Sequence, residues 1–468
     1  MPKQRLFTRR KFSDMITATP SPVKETNPHL ASFEQFERNE AVQNPAWIQS
    51  IRKAGISHFA ELGFPTTEHE EWRFTNITPI ARLPFHPILS PSRTALTAKD
   101  IAPFTFDHLK GNLLVFINGH FSQQLSSLTQ KEGLQIGSLA SELTPGGMAE
   151  QHLARHAKYD ENAFAALNTA FFQDGAYLII SKGAVIRDPI HLLFVQTSSQ
   201  TGATVHPRNL IVAERDSRAV VIEDYVSLVA TPYFTNVVTE IYVSEGAQLE
   251  HCKIQAESQN AFHTATVQAV QERNSRWISH SISHGAAIAR HNVQTLFTGE
   301  GSDAILNGLY IGSNKQLVDY HTVVDHAKPH CSSHEYYHGI LDGESHGVFN
   351  GKIFVRKHAQ KTDAKQTSRN LLLSDAATID TKPQLEIFAD DVKCTHGATV
   401  GQLNDEAIFY LRSRGISLRL ARQMLVHAFA SEILDRMSVE AVRRELDEHI
   451  YDRLEEHADA LATAGQRN

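Results

Sequence analysis

The chain has 468 residues, with 45 Lys and Arg, 52 Asp and Glu and 26 His, for a formal net charge of -7. That length allows two or three domains and a substantial core, and a mildly acidic chain with no basic stripe excludes nucleic acid as an expected partner. Cys252, Cys331 and Cys394 are odd in number, widely spaced and in no CxxC pair, which excludes a disulfide scaffold and points to a reducing compartment.

At the N-terminus, Thr8-Arg9-Arg10-Lys11-Phe12 resembles a twin-arginine export signal, but Pro20, Pro22, Lys24, Glu25 and Pro28 break any apolar segment behind it. Residues 1–44 are expected to be a disordered leader. No run approaches the ~18 apolar residues that span a bilayer, so a cytoplasmic protein without membrane contact is expected.

Residues 45–165 read as a helical and mixed domain. Trp47, Ile48, Ile51, Phe59 and Leu62 predict one helical face, stopped by Gly63 and Pro65. Leu113 to Ile117 predicts a strand that enters a hairpin at Asn118-Gly119.

From about Tyr177 the pattern changes to short β-rich runs. A turn residue followed by Ser or Ala recurs at Gly183, Asp216, Gly246, Asn274, Gly301, Glu344 and Asp375, in steps of 33, 30, 28, 27, 43 and 31 residues. One rung of strands and turns cannot bury its own apolar face, so this period predicts a stacked solenoid over residues 166–402. The step of 43 is expected to hold an insertion. A β-sandwich with evenly spaced turns is the competing fold.

Residues 403–468 return to a helical period. Asn404 predicts a cap for a helix that ends near Arg414 and Gly415. Ser417 predicts a second helix with the stripe Leu418, Ala421, Leu425, Phe429 and Ile433, and Ser438 a third carrying Val442, Leu446, Ile450 and Leu454.

His334-Glu335-Tyr336-Tyr337-His338 matches the zinc-protease pattern HExxH, which works only on a helix. In a strand its two histidines lie roughly 13 Å apart, too far to grip one ion. The wider set His321, His326, His330, Cys331, His334 and His338 falls in the long interval, which predicts an exposed loop or an extra rung. Gly347 to Lys352 fails as a phosphate loop, with three residues between its glycines and Ile353 after the lysine. The polar run Ala359 to Gln366 reads as a rim or turn ladder.

Cys394 and His396 stand two residues apart just before the helices begin. On an extended strand such positions share a face, so a thiol and an imidazole can address one ligand or partner. Two soft donors suggest metal chemistry; a buried cysteine beside a hydrogen-bonded histidine is the alternative.

Asp390 to Gln402, with Phe409 to Gly415 after it and Ala359 to Ala364 before it, resembles the C-terminal signature of the SufB/SufD family, which assembles iron–sulfur clusters. Asn350-Gly351-Lys352-Ile353, Asn370 to Ser374, Pro383 to Ile387, Leu167 to Phe172, Leu62 to Thr66 and Glu71 to Thr75 extend the likeness over most of the chain. The resemblance implies a mainly β fold: a right-handed parallel β-helix core with an N-terminal α/β region and a C-terminal helical domain. In the SufB branch a cysteine involved in building the cluster lies in the stretch matching Thr367 to Asp375; here Ser368 stands there, so the chain resembles the partner branch.

The same resemblance implies a non-catalytic scaffold subunit that pairs with SufB and docks SufC, an ABC-type ATPase. His396 would supply an imidazole and Cys394 a nearby thiol to a transient iron–sulfur cluster shared with SufB. A cluster takes about four thiolates, so none is expected to be bound stably by this chain alone. For SufC, the expected surface is Arg412, Arg414, Arg419, Arg422 and Gln423. Three questions stay open: a homodimer when SufB is absent, a secreted-type β-helix enzyme acting on carbohydrate, and a zinc-binding module.

Overall fold

The computed structural model describes residues 28–40, 44–91, 96–106, 109–129 and 131–451. Two sheets dominate, one of eleven strands and one of ten. Successive strands alternate between the sheets, and each pairs in parallel with the strand two further along the chain, which makes a solenoid of about eight turns. The competing sandwich requires antiparallel pairing and is set aside. Register is strict: Ile288–Phe297 pairs residue for residue with Leu317–His326, and that strand with His346–Val355.

The turns show why the repeat was visible. Gly183, Asp216, Gly246, Asn274 and Gly301 all have positive φ, and the same column continues at His330 and Lys361. Each donates its backbone N–H to a carbonyl in the turn of the next rung: Gly246 to Arg273, Asn274 to Glu300, Gly301 to Pro329, His330 to Gln360 and Lys361 to Asp391. A Cβ on Gly246 would meet Oδ1 of Asp216 at 2.3 Å, and one on Gly301 would meet Oδ1 of Asn274 at 2.4 Å. Glycine is therefore needed where an Asx side chain of the rung before occupies the space.

This column corrects the expected insertion. Glu344 and Asp375 belong to a second column of turns, with Asn314 and Gly343 at positive φ, so the step of 43 was a jump between columns. The histidines expected in a loop or extra rung sit in regular strands and turns instead.

Inward-facing side chains fill the solenoid. A row of rings runs along its axis through Phe194, Tyr225, His263, His291, Tyr320, Tyr337 and Phe349, with neighbouring centroids 4.6–5.3 Å apart. Such contacts add to area burial.

Helices cover the outer faces. Ala46–Leu62 packs on Ala163–Phe171 so closely that a Cβ on Gly55 would meet the Ala166 carbonyl at 2.9 Å. Phe59, Phe164 and Phe171 join Phe234 and Ile288 of the eleven-stranded sheet. A helix over Pro28–Glu40 places Phe33 and Phe36 in the same cluster, inside the stretch expected to be a leader; residues 1–27 lie outside the described residues. The hairpin at Asn118-Gly119 forms as expected, both residues at positive φ.

Asn168 ties its helix to the solenoid by donating to the carbonyls of Pro207 and Asn236, each at 2.8 Å. Asn404 and Ser417 cap helices Asp405–Ser413 and Leu418–Leu434. The buried stripe of the second is Ala421, Val426, Ala430 and Ile433, turned from the expected one so that Leu418 is exposed. A further helix covers 440–451 with Val442, Leu446 and Ile450 buried; Leu454 lies outside the described residues.

Candidate metal and partner site at the open end

The final rung ends both sheets. Thr378–Ile387 and Lys393–Gly401 are edge strands, and the second is almost wholly exposed because no later rung covers it. Edge strands present unpaired N–H and C=O groups along one side, a ready template for another chain.

Cys394 and His396 lie on this last strand. Cys394 pairs in register with the buried Ala364 and packs against the small cluster of Ile353, Val355, Ala359, Ala364 and Ala389. Its side chain thus faces the solenoid interior, and His396, two residues on, faces the same way. Burial, reinforced by nearby Asp363, pushes the Cys394 thiol up. His396 is exposed and pairs with Gln366, which pairs with Glu335. The structure therefore brings the two predicted residues onto one strand face at the open mouth.

Beneath them lies a polar column. Nε2 of Gln366 donates to Glu335 at 3.2 Å, and Oγ1 of Thr322 donates to its other oxygen at 2.5 Å. Burial pushes the Glu335 carboxyl up to about 7. A Cβ on Gly351 would meet Nε2 of Gln366 at 2.1 Å, so glycine makes room for that amide. Ser368 is also buried, its Oγ accepting from Asn370 at 3.1 Å. The sequence drew attention to Glu335 only within HExxH, to Gln366 only as the end of a polar run and to Ser368 only as the match to a SufB cysteine, and gave no sign that they line one column. Glu335 points inward while His334 and His338 lie on the outer side of the strand, where Nδ1 of His338 is 3.0 Å from the Phe429 carbonyl oxygen. The HExxH match is thus split across two faces of a strand.

A second polar cluster fills the interior several rungs away. Nζ of Lys253 is 2.8 Å from Nε2 of His263, whose Nδ1 is 2.6 Å from Glu257. Burial brings the Lys253 ammonium down to about 8.

The expected SufC surface is rearranged. Arg412, Arg414, Arg419 and Arg422 are exposed, but Gln423 is buried, on the side of its helix turned toward the protein, and it leaves the set. Among the arginines stand exposed apolar residues that were not expected on this surface. Phe409 is 75% exposed and Tyr410 55%, with Leu418, Leu420 and Met424 also exposed. Helix Asp405–Ser413 buries none of its residues. The missed signal was a helix with adjacent aromatics and no apolar stripe. These exposed apolar side chains sit on two helices that contact each other, and exposed apolar area of this kind is a candidate interaction surface.

Sequence comparison assigns the chain. A family model for the SUF system FeS cluster assembly SufBD core domain matches residues 194–429, and one for the SufBD protein N-terminal region matches residues 24–192. The chain belongs to the SufB/SufD family. An iron–sulfur cluster assembly SufBD family protein of Synechocystis is 34% identical, covering 84% of this chain and 88% of that one. The iron–sulfur cluster assembly protein SufD of Escherichia coli is 32% identical over 91% of this chain and 95% of its own, and that of Bacillus subtilis 25% identical over 89% and 95%. Within the SufB/SufD family the chain is of the SufD type. Among the described residues no helix is long and apolar enough to cross a membrane.

The motifs shared with the SufB/SufD family also have structural work. Trp72 lies under the Arg290 guanidinium at 3.7 Å, Arg290 donates to the Glu71 carbonyl at 2.7 Å and to Asp319 at 2.6 Å, and Thr75 donates to Asp319 at 2.5 Å. The stretch Glu71 to Thr75 is thus clamped to the outer face of the eleven-stranded sheet.

Proposed function

We propose that this chain is a non-catalytic, cytoplasmic subunit of an iron–sulfur cluster assembly scaffold, pairing with SufB through the open end of its solenoid. The observation that carries this reading is the uncovered last rung, which holds Cys394 and His396 at the mouth of the solenoid, toward whatever caps it. Ile387, Phe388 and Val400, at 37%, 58% and 50% exposure, give that end an apolar rim. A second chain laid there would satisfy the edge and bury the rim.

The cluster is the cargo of this site. A single thiol with one imidazole leaves most ligands to the other chain, so SufB supplies thiolate while His396 supplies an imidazole nitrogen. SufC docks on the exposed side of helices Asp405–Ser413 and Leu418–Leu434, through Phe409 and Tyr410 with the arginines around them. Strain transmitted from SufC to the seam would open the site to its cargo.

Capture of SufB by the tagged chain tests the seam. Phe388→Asp with Val400→Asp is expected to cut SufB recovery at least tenfold while SufC recovery holds. Undiminished SufB recovery would remove the open end as the interface.

A further inference from the structure

Glu250 and Cys252 are two residues apart on strand Gln248–Ala256, and His280 is the register partner of Cys252 on the next rung. All three point outward, where Cys252 joins Ile222, Ile254 and Ile282 beneath the C-terminal helices. One ligand atom from each lies within 4.8 Å of the other two. Cys252 and His280 are fully buried, and Glu250 accepts the backbone N–H of Ser438 at 2.9 Å.

On its Nε2 side the imidazole lacks an aligned hydrogen-bond partner. Nε2 of His280 is 3.3 Å from Oε1 of Glu250, yet it is not aligned for a hydrogen bond to any atom. A separation of roughly 3.3 Å is the edge of a tetrahedron whose nitrogen and oxygen ligands lie ~2.0–2.1 Å from the ion. On the next rung, Asn307 pairs with His280 and brings its amide nitrogen to 3.3 Å from Nδ1, while its own Oδ1 is buried without a partner. With that amide turned over, Oδ1 accepts a hydrogen bond from Nδ1–H and the lone pair of Nε2 is left free. Histidine ligands are ordinarily oriented in this way.

We propose that Glu250, Cys252 and His280 bind a divalent first-row transition ion of the zinc type, with water in the fourth position and Asn307 as the positioning residue. Thiolate and imidazole favour zinc-like ions over the oxygen-loving magnesium and calcium. On binding, Cys252 gives up its proton to solvent as the metal–sulfur bond forms. The site is separate from Cys394 and His396, which lie on the last rung and face inward. Because Glu250 also holds Ser438, an occupied site fastens the C-terminal helices to the solenoid.

Cobalt(II) added to the reduced, full-length chain tests this. One equivalent is expected to give a thiolate-to-cobalt charge-transfer band with tetrahedral d–d bands, all removed by zinc, and each metal raises Tm. The charge-transfer band is lost in Cys252→Ala and kept in the double variant Cys394→Ala, His396→Ala. Asn307→Ala, which removes no ligand, weakens cobalt binding by about 10- to 100-fold, so the test holds if Cys252→Ala does not fold. The proposal is overturned if the wild-type chain gives no such band, or if the band depends on Cys394 instead of Cys252.

Discussion

Gln366 and Glu335 are register partners on successive rungs, and the amide of the first donates to the buried carboxylate of the second at 3.2 Å. Burial raises the Glu335 carboxyl from an ordinary value of 4.5 to about 7. Between those values the folded chain holds a proton that the unfolded chain has released, so stability is full below pH 4.5 and falls as pH rises through 7. Glu335→Gln removes the ionisation. Urea unfolding should show the variant more stable than wild type at pH 8.5, by on the order of 3 kcal/mol, with the two converging near pH 4. Equal stability at both pH values would mean that Glu335 carries no such penalty.

Glu240 anchors the N-terminal region to the solenoid. Its carboxylate accepts the backbone N–H groups of Ala154, Arg155, His156 and Ala157, and Arg208 donates to it at 2.5 Å, with both side chains fully buried. Glu240→Ala leaves the Arg208 charge buried and unpaired, at a cost of about 3–5 kcal/mol. Chemical denaturation at pH 7 reads this directly; a loss under 1 kcal/mol would show that water or a neighbouring group replaces the carboxylate.

Docking of SufC should depend more on the apolar residues than on charge. Phe409→Ala is expected to weaken SufC capture by about 2 kcal/mol or more, as buried aromatic anchors do. Charge reversal at Arg419 and Arg422 should act chiefly on the salt dependence and association rate. Binding measured at two ionic strengths separates the two. Full SufC binding by the Phe409 variant would move the dock elsewhere.

Much of the fold was legible because solenoid rungs repeat local chemistry: a left-handed turn residue at Gly183, Asp216, Gly246, Asn274 and Gly301 is a backbone requirement that a single sequence displays. The next two members of the column, His330 and Lys361, hid because neither is a usual turn residue. The shared face of Cys394 and His396 followed from strand geometry alone. Their inward direction at an uncovered end depends on where the stack stops. Gln423 was misplaced because a polar residue on a cap helix gives no sign of which neighbour will bury it. The pairing of Cys252 with His280 was within reach: their spacing equals the 28-residue step from Gly246 to Asn274.

On the proposed reading, His396 lends an imidazole to a cluster built at the seam with SufB. The most direct measurement is iron and acid-labile sulfide per complex after anaerobic co-expression with SufB and SufC, comparing wild type with His396→Ala. The expected result is an intact three-component complex whose cluster content falls at least tenfold. Cluster content equal to wild type in that same complex would contradict a ligand role for His396.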